Sequence, residues 1–223
     1  MARISVLTPT TRGENGLKEP LRALNRQSFT DFEHIINKKR YKDGFWGLNR
    51  AYNEMIKQAK GELIVSWQDY TFAKPDCLQK FWDCYQANKQ SIVGAVGNKY
   101  KDNTWMAKTW QDPRQRQDQG MFYECYPWDI EANLCAVPKQ AFYDIGGFDE
   151  KMDFIGFGFD ARGVFERLDM LGKYKFYLDQ SNESFSLEHG RLKGWDDNNF
   201  IDKWMDYKQE KLDKGIYPVL QYL

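Results

Sequence analysis

The strongest constraint on this chain is a rhythm in its first hundred residues. Short β-branched runs alternate with stretches whose apolar residues recur every three or four positions. Arg3 to Thr8 (RISVLT) reads as a buried strand that stops at Pro9. Leu17, Leu21 and Leu24 share one helix face. Phe32 to Ile36 is a second strand. Leu48, Tyr52, Met55 and Ala59 mark a second helix, which Lys60-Gly61 closes. Glu62 to Trp67 is a third strand. Pro75 opens a third helix with Leu78, Phe81, Trp82 and Tyr85 on its apolar face. Ile92 to Val96 is a fourth strand. This alternation predicts an α/β fold with a mainly parallel central sheet flanked by helices. Ligands of such sheets bind beyond the carboxyl ends of the strands. That places interest on Thr8 to Arg12, Asn37 to Lys42 and Gln68 to Thr71.

The rhythm then breaks. Lys99 to Gln119 is polar and reads as a long surface loop, a length that often carries function. Phe122 to Tyr126 and Leu134 to Val137 are short strands. Pro138 to Ile145 is a helix ended by Gly146-Gly147. Phe159 to Leu171 is a helix closed by Gly172, followed by a strand at Tyr174 to Leu178. Trp195 to Lys214 is a terminal helix, with Asp196 and Asp197 near its positive end. A length of 223 residues suits one α/β domain.

Lys plus Arg (32) balances Asp plus Glu (32), so no global field draws the chain to nucleic acid or anionic membranes. The local basic run Lys38-Lys39-Arg40 is an exception. No apolar run is long enough to cross a bilayer, and the start lacks a signal-peptide pattern. Cys77, Cys84, Cys125 and Cys135 form no CxxC pair, and only two histidines accompany them. That argues against structural zinc and for reduced thiols in a cytoplasmic protein. Aromatic residues reach 16%, more than a core of this size needs. Their faces stack on sugars and bases, or fill a Trp-rich core beside a partner surface.

Four segments occur together in a fixed order: ISVLTPTTRGENGLKEPLRALNRQSF from Ile4, AYNEMIKQAKGE from Ala51, Pro75-Asp76-Cys77-Leu78, and AVPKQAFYDIGGFDE from Ala136. Together they resemble the family-2-like GT-A glycosyltransferases, which are nucleotide-diphospho-sugar transferases. The resemblance implies a GT-A fold over residues 1–223. Residues 1–98 would be the nucleotide-sugar-binding half, 99–193 the acceptor and catalytic half, and 194–223 a C-terminal helix. It implies a nucleotide sugar as donor (a UDP-sugar), Mn2+ or Mg2+, and inverting transfer to an acceptor hydroxyl.

The same resemblance assigns residues. Its acidic motif after the third strand corresponds to Trp67-Gln68-Asp69-Tyr70-Thr71, where one carboxylate stands instead of two. Asp69 is the candidate for metal and diphosphate, assisted by Gln68 or Thr71, because a hard cation on carboxylate oxygen offsets diphosphate charge. Thr8, Pro9, Thr10 and Arg12 would line the donor cleft. Asn37 would read the base, with Trp46, Asn49, Arg50 and Asn53 completing the cleft. Asp160 would be the general base, ionised and within reach of the acceptor hydroxyl; its other reading is a helix N-cap. Asp153 is a poorer base, and Glu166 a surface ion-pair residue. His189 would touch metal or diphosphate, and Arg191 and Lys193 would grip the diphosphate. Trp105, Trp110, Tyr123, Tyr126 and Trp128 lie where acceptor contacts are expected, with half of them read equally as core. Trp128, Glu131 and Asn133 are the acceptor candidates.

Three rivals stand beside this reading. One is a glycosyltransferase acting on modified bases in DNA, of the phage type. Another is a noncatalytic nucleotide- or sugar-binding module on the same scaffold, since a fold does not guarantee activity. A third is a Rossmann oxidoreductase, which the lack of a G-x-G-x-x-G after the first strand argues against.

Overall fold

A computed structural model describes residues 2–39, 47–155, 161–187 and 198–223. The expected alternation is present: β1 (Ile4–Pro9), α1 (Gly13–Leu24), β2 (Phe32–Asn37), α2 (Leu48–Gln58) and β3 (Leu63–Trp67). A two-residue strand β4 (Phe72–Ala73), α3 (Cys77–Ala87) and β5 (Ser91–Tyr100) follow. The second part holds β6 (Lys108–Trp110), β7 (Phe122–Glu124), β8 (Leu134–Pro138), α4 (Lys139–Asp144), α5 (Met152–Ile155), α6 (Ala161–Met170), β9 (Lys175–Leu187) and α7 (Asn198–Asp213).

Among the described residues one nine-stranded sheet runs β2-β1-β3-β8-β5-β9-β4, with β6 paired to β5 and β7 to β9. Strands β2, β1, β3, β5 and β9 point one way; β8 and β4 oppose them. Alternate residues of each strand feed two cores. Ile4, Val6, Leu63, Val65, Leu134 and Ala136 face α1 and α3, while Leu7, Ile64, Cys135 and Val137 face α2, α4 and α6. Cys77 is in the first core and Cys84 is half-buried against it; all four thiols are free.

Two sequence expectations change. The stretch from Lys99 is not one loop: β5 runs on to Tyr100, and β6 folds back onto it. Trp105 takes a left-handed backbone (φ 59°) that sets its ring among Phe72, Tyr100 and Phe185. The strand expected at Tyr174 to Leu178 extends to Leu187, with a register break where Ala95 faces Asp179 and Val96 faces Glu183. Asp196 and Asp197 lie outside the described residues. No helix among those described is long and apolar enough to cross a membrane.

The start of α2 has Gly47 as its N-cap and no side-chain cap of its own. Asp153 of α5 supplies one from a distance. Its Oδ1 accepts the Asn49 N–H and the Asn49 Nδ2, both at 2.9 Å, and its Oδ2 accepts the Arg50 N–H at 3.2 Å. Asp153 is thus a cap joining the two parts of the chain, which is a different task from a base. Burial pushes its carboxyl up to about 6, against the pull of those N–H groups and Arg50. The folded state then keeps a proton that the unfolded state has lost between the ordinary aspartate range and about pH 6. Stability from this group falls as pH rises through that window, by about 3 kcal/mol. Urea unfolding from pH 4 to 7 should show that slope in the wild type and lack it in Asp153→Asn.

Candidate functional site

The carboxyl ends of β1 and β3 lie side by side, because the two strands pair in parallel from Ile4↔Leu63 to Leu7↔Ser66. Each strand releases its chain into a tight turn. After β3, the Thr71 N–H donates to Gln68 O at 3.1 Å and the Trp67 indole N–H donates to Thr71 O at 2.9 Å. This turn holds Asp69, 6% exposed, opposite Thr10. The Thr10 hydroxyl donates to Asp69 Oδ2 at 2.6 Å, and Arg12 Nε lies 3.7 Å from the same oxygen. The Arg12 N–H donates to the Thr10 hydroxyl oxygen at 3.1 Å. A Cβ on Gly16 would stand 3.0 Å from Asp69 Oδ2, so glycine lets α1 close on the pair. The Arg12 side chain is half-exposed and its guanidinium lies 5.3 Å from the Tyr70 ring centroid.

From there a polar chain runs outward. The Tyr70 hydroxyl donates to Asn133 Oδ1 at 3.0 Å, and Asn133 Nδ2 donates to Glu131 Oε2 at 3.0 Å. Gln68 joins it through its N–H, which donates to Asn133 O at 3.0 Å. Arg114 Nη2 lies 3.2 Å from Glu131 Oε2 and is ion-paired to the buried Asp112. Burial on the inner side raises the Glu131 carboxyl above its ordinary range, against the pull of Arg114. Burial also raises the Tyr70 phenol, helped by the charges of Glu131 and Asp69, so it stays a donor.

Beyond Glu131, a 3-10 turn at Pro127–Asp129 carries an open aromatic pair. Tyr126 and Trp128 stack at 4.6 Å and 9°, and are 62% and 54% exposed. The turn is stiffened by Pro127, by the Asp129 N–H donating to Tyr126 O at 2.9 Å, and by Arg114 Nη1 donating to Asp129 O at 2.5 Å. The two rings thus stand stacked and open on the surface, held by this turn.

The structure therefore brings together Thr10, Arg12, Gln68, Asp69, Glu131 and Asn133, while Trp128 sits on the separate turn that Arg114 ties to Glu131. Other expected residues are committed elsewhere. The Thr8 hydroxyl meets His34 Nε2 at 2.9 Å inside the sheet, and Pro9 pairs with Asn37. Asn37 is half-buried: its Nδ2 donates to Glu54 and its Oδ1 accepts the Lys39 N–H. Asn53 is 1% exposed, and its amide grips both the O and the N–H of Phe148, so it braces that turn instead of facing the cleft. Glu166 pairs with Lys208 and Arg162. Trp105 is core, and Tyr123 donates to Arg114 O. Trp46, Asp160, His189, Arg191 and Lys193 lie outside the described residues.

Two participants carry no sequence signal strong enough to find. Tyr70 is a plain neighbour of Asp69. Arg114 sits in a polar stretch, and its contacts to Asp129 and Glu131 exist only once the chain folds back.

Among the described residues, no three His, Cys, Asp or Glu side chains converge to hold a metal. Asp69, held by the Thr10 hydroxyl, offers the kind of carboxylate oxygen that a hard cation would use. Magnesium-like ions commonly use one or two carboxylates in that way.

No protein-family pattern matches the sequence, and no curated relative matches it. Solved structures do match in fold. Residues 1–349 of Staphylococcus aureus TarS in complex with UDP-GlcNAc superpose with a TM-score of 0.63 at 14% identity, covering 96% of this chain and 67% of that one. A longer S. aureus TarS structure gives 0.62 at 13% identity, covering 84% and 37%. The mannosyltransferase PcManGT of Pyrobaculum calidifontis, in complex with GDP-Man and Mn2+, gives 0.59 at 14% identity, covering 98% and 65%. The chain thus spans 37% to 67% of the lengths of these three. It has the GT-A nucleotide-diphospho-sugar transferase fold that these glycosyltransferases share.

Proposed function

We propose that this chain is a glycosyltransferase that moves a sugar from a UDP-sugar to an acceptor hydroxyl, with inversion at the anomeric carbon. The observation that carries the reading is the Thr10–Asp69–Arg12 cluster, set where two parallel strands release their chains. A carboxylate and a half-exposed guanidinium within one site suit a diphosphate leaving group. Arg12 meets the phosphate charge directly, and its fork matches phosphate oxygens. Asp69 would hold a divalent cation, Mn2+ or Mg2+, beside the phosphates. That ion, when bound, offsets the charge that builds as the diphosphate departs. Thr10 fixes the Asp69 carboxylate, and Gln68 lines the same turn.

Asp160 is the general base. It takes the proton of the acceptor hydroxyl while that oxygen forms the new bond to the anomeric carbon and the diphosphate leaves with the old bonding pair. His189 and Arg191 stand with the diphosphate in this reading. The acceptor lies along Tyr70, Asn133 and Glu131 and ends on Trp128. A saccharide suits that ridge: its hydroxyls meet the amide and carboxylate, and its CH face meets the ring. Trp128→Ala should raise the acceptor KM by about tenfold, the loss of one stacking contact near 1.4 kcal/mol, and leave hydrolysis of the donor unchanged.

A thermal-shift screen tests the donor reading. UDP-sugars with Mn2+ should raise Tm, because a ligand at a hundred times its Kd adds about 2.7 kcal/mol to the native state. A flat response to every nucleotide sugar, with and without metal, ends the reading. Stabilisation without turnover would point to the noncatalytic module, and transfer onto modified DNA would point to the base-modifying enzyme.

A further inference from the structure

The end of the chain converges on one buried carboxylate. Asp149 is 0% exposed. Tyr207 of α7 donates to its Oδ2 at 2.7 Å, Tyr217 to the same oxygen at 3.4 Å, and Tyr222 to its Oδ1 at 3.1 Å. Burial and the Asp149 charge raise the phenols of Tyr207 and Tyr222, so both stay protonated donors. Two backbone bonds run beside them: the Leu220 N–H to Ile145 O at 2.9 Å and the Tyr222 N–H to Gly146 O at 3.0 Å. Arg167 of α6, 1% exposed, donates to Ile145 O at 3.0 Å and Gly147 O at 2.8 Å. Its guanidinium lies 5.6 Å from the Tyr217 ring centroid.

The turn at 145–153 is therefore held from two sides. The second side is α2, through Asn53 on Phe148, Arg50 Nε at 3.6 Å from Glu150 Oε2, and the Asp153 cap. The two glycines record the closeness. A Cβ on Gly146 would fall 1.8 Å from Leu220 O; one on Gly147 would fall 2.6 Å from Asn53 Oδ1 and 2.8 Å from Leu223 Cγ. Several phenol donors on one buried carboxylate fix more rotamers than a simple tether needs.

We propose that residues 207–223 are a latch on this turn, with Asp149 and Arg167 as positioning residues for sugar transfer. The latch sets α5, which Asp160 follows a few residues on in the sequence, against α2. Its catalytic consequence rests on the glycosyltransferase reading; its conformational consequence does not.

The test is Tyr217→Phe/Tyr222→Phe in the full chain, read by amide hydrogen exchange and by steady-state kinetics. Exchange at Asn49, Arg50 and Phe148 should quicken by at least about tenfold while Val6 and Val65 stay protected. The kcat should fall about tenfold with the donor KM within about twofold, because α5 leads in sequence to the proposed base Asp160, while Asp69 lies on a different turn. If the double variant does not fold, Tyr222→Phe alone, which removes one bond, takes the same readouts. Unchanged exchange overturns the latch, and faster exchange with unchanged kcat overturns the positioning role. If the wild type transfers no sugar, the transferase reading fails and the exchange result alone decides the latch.

Discussion

Asp69→Asn is expected to lower kcat/KM for sugar transfer roughly a thousandfold, about 4 kcal/mol of transition-state stabilisation. The substitution keeps shape: an amide oxygen still accepts the Thr10 hydroxyl at the 2.6 Å contact, so the turn at 68–71 should persist. What goes is the negative charge that, in the proposed reading, would hold a divalent cation beside the diphosphate. Donor affinity in Mn2+ should fall with it, while affinity without metal changes little. Asp160→Asn makes the contrast: donor affinity retained and transfer lost, as expected of a group that acts on the acceptor proton alone. Titration calorimetry with UDP-sugar, with and without Mn2+, beside initial rates separates the two. If Asp69→Asn retains metal-dependent affinity and rate, the assignment of that turn fails.

Gly146→Ala is expected to cost about 3–5 kcal/mol of folding stability, at the high end for one added methyl group. Two effects combine. The residue sits at φ +68°, where a side chain costs about 1 kcal/mol. The new Cβ would also occupy the space of Leu220 O, 1.8 Å away, and the backbone of the last segment has to move. That movement breaks the bonds to Ile145 and Gly146 and uncovers Leu220, which is 6% exposed. Gly172 is the matched control: φ +62°, with nothing within 4 Å of its Cβ position. Gly172→Ala should therefore cost only about 1 kcal/mol. Urea unfolding of the two variants measures the difference, and equal costs would mean that the last segment does not press on Gly146.

The Thr10–Arg12–Asp69 cluster was legible because its signal is local. Thr10, Arg12 and Asp69 follow recognisable strands, and the ends of parallel strands are where such folds bind. The chain of contacts from Tyr70 through Asn133 to Glu131 was legible only in part. Glu131 and Asn133 stood out as polar residues in an aromatic segment, but nothing in the sequence ties them to Tyr70, sixty-odd residues earlier, or to Arg114. Asn53 misled for a related reason. A polar residue on the inner face of a helix looks like a ligand contact until the turn at Phe148 is seen to use both ends of its amide.

The sequence by itself determined three helices and four strands of the first hundred residues, and missed the two-residue β4 and the far end of β5. Apolar periodicity, glycine stops and a proline start act between residues a few positions apart, and no partner is needed to read them. The tertiary structure alone decided the strand order. It put β8 antiparallel between β3 and β5, although the chain reaches β8 only after β5, β6 and β7. It also decided that α2 takes its cap from Asp153 and that the end of the chain closes on Asp149. These contacts join residues 58 to 104 positions apart. Their partners are chosen by which buried polar groups need satisfying once the cores have closed, and spacing along the chain carries no trace of that choice.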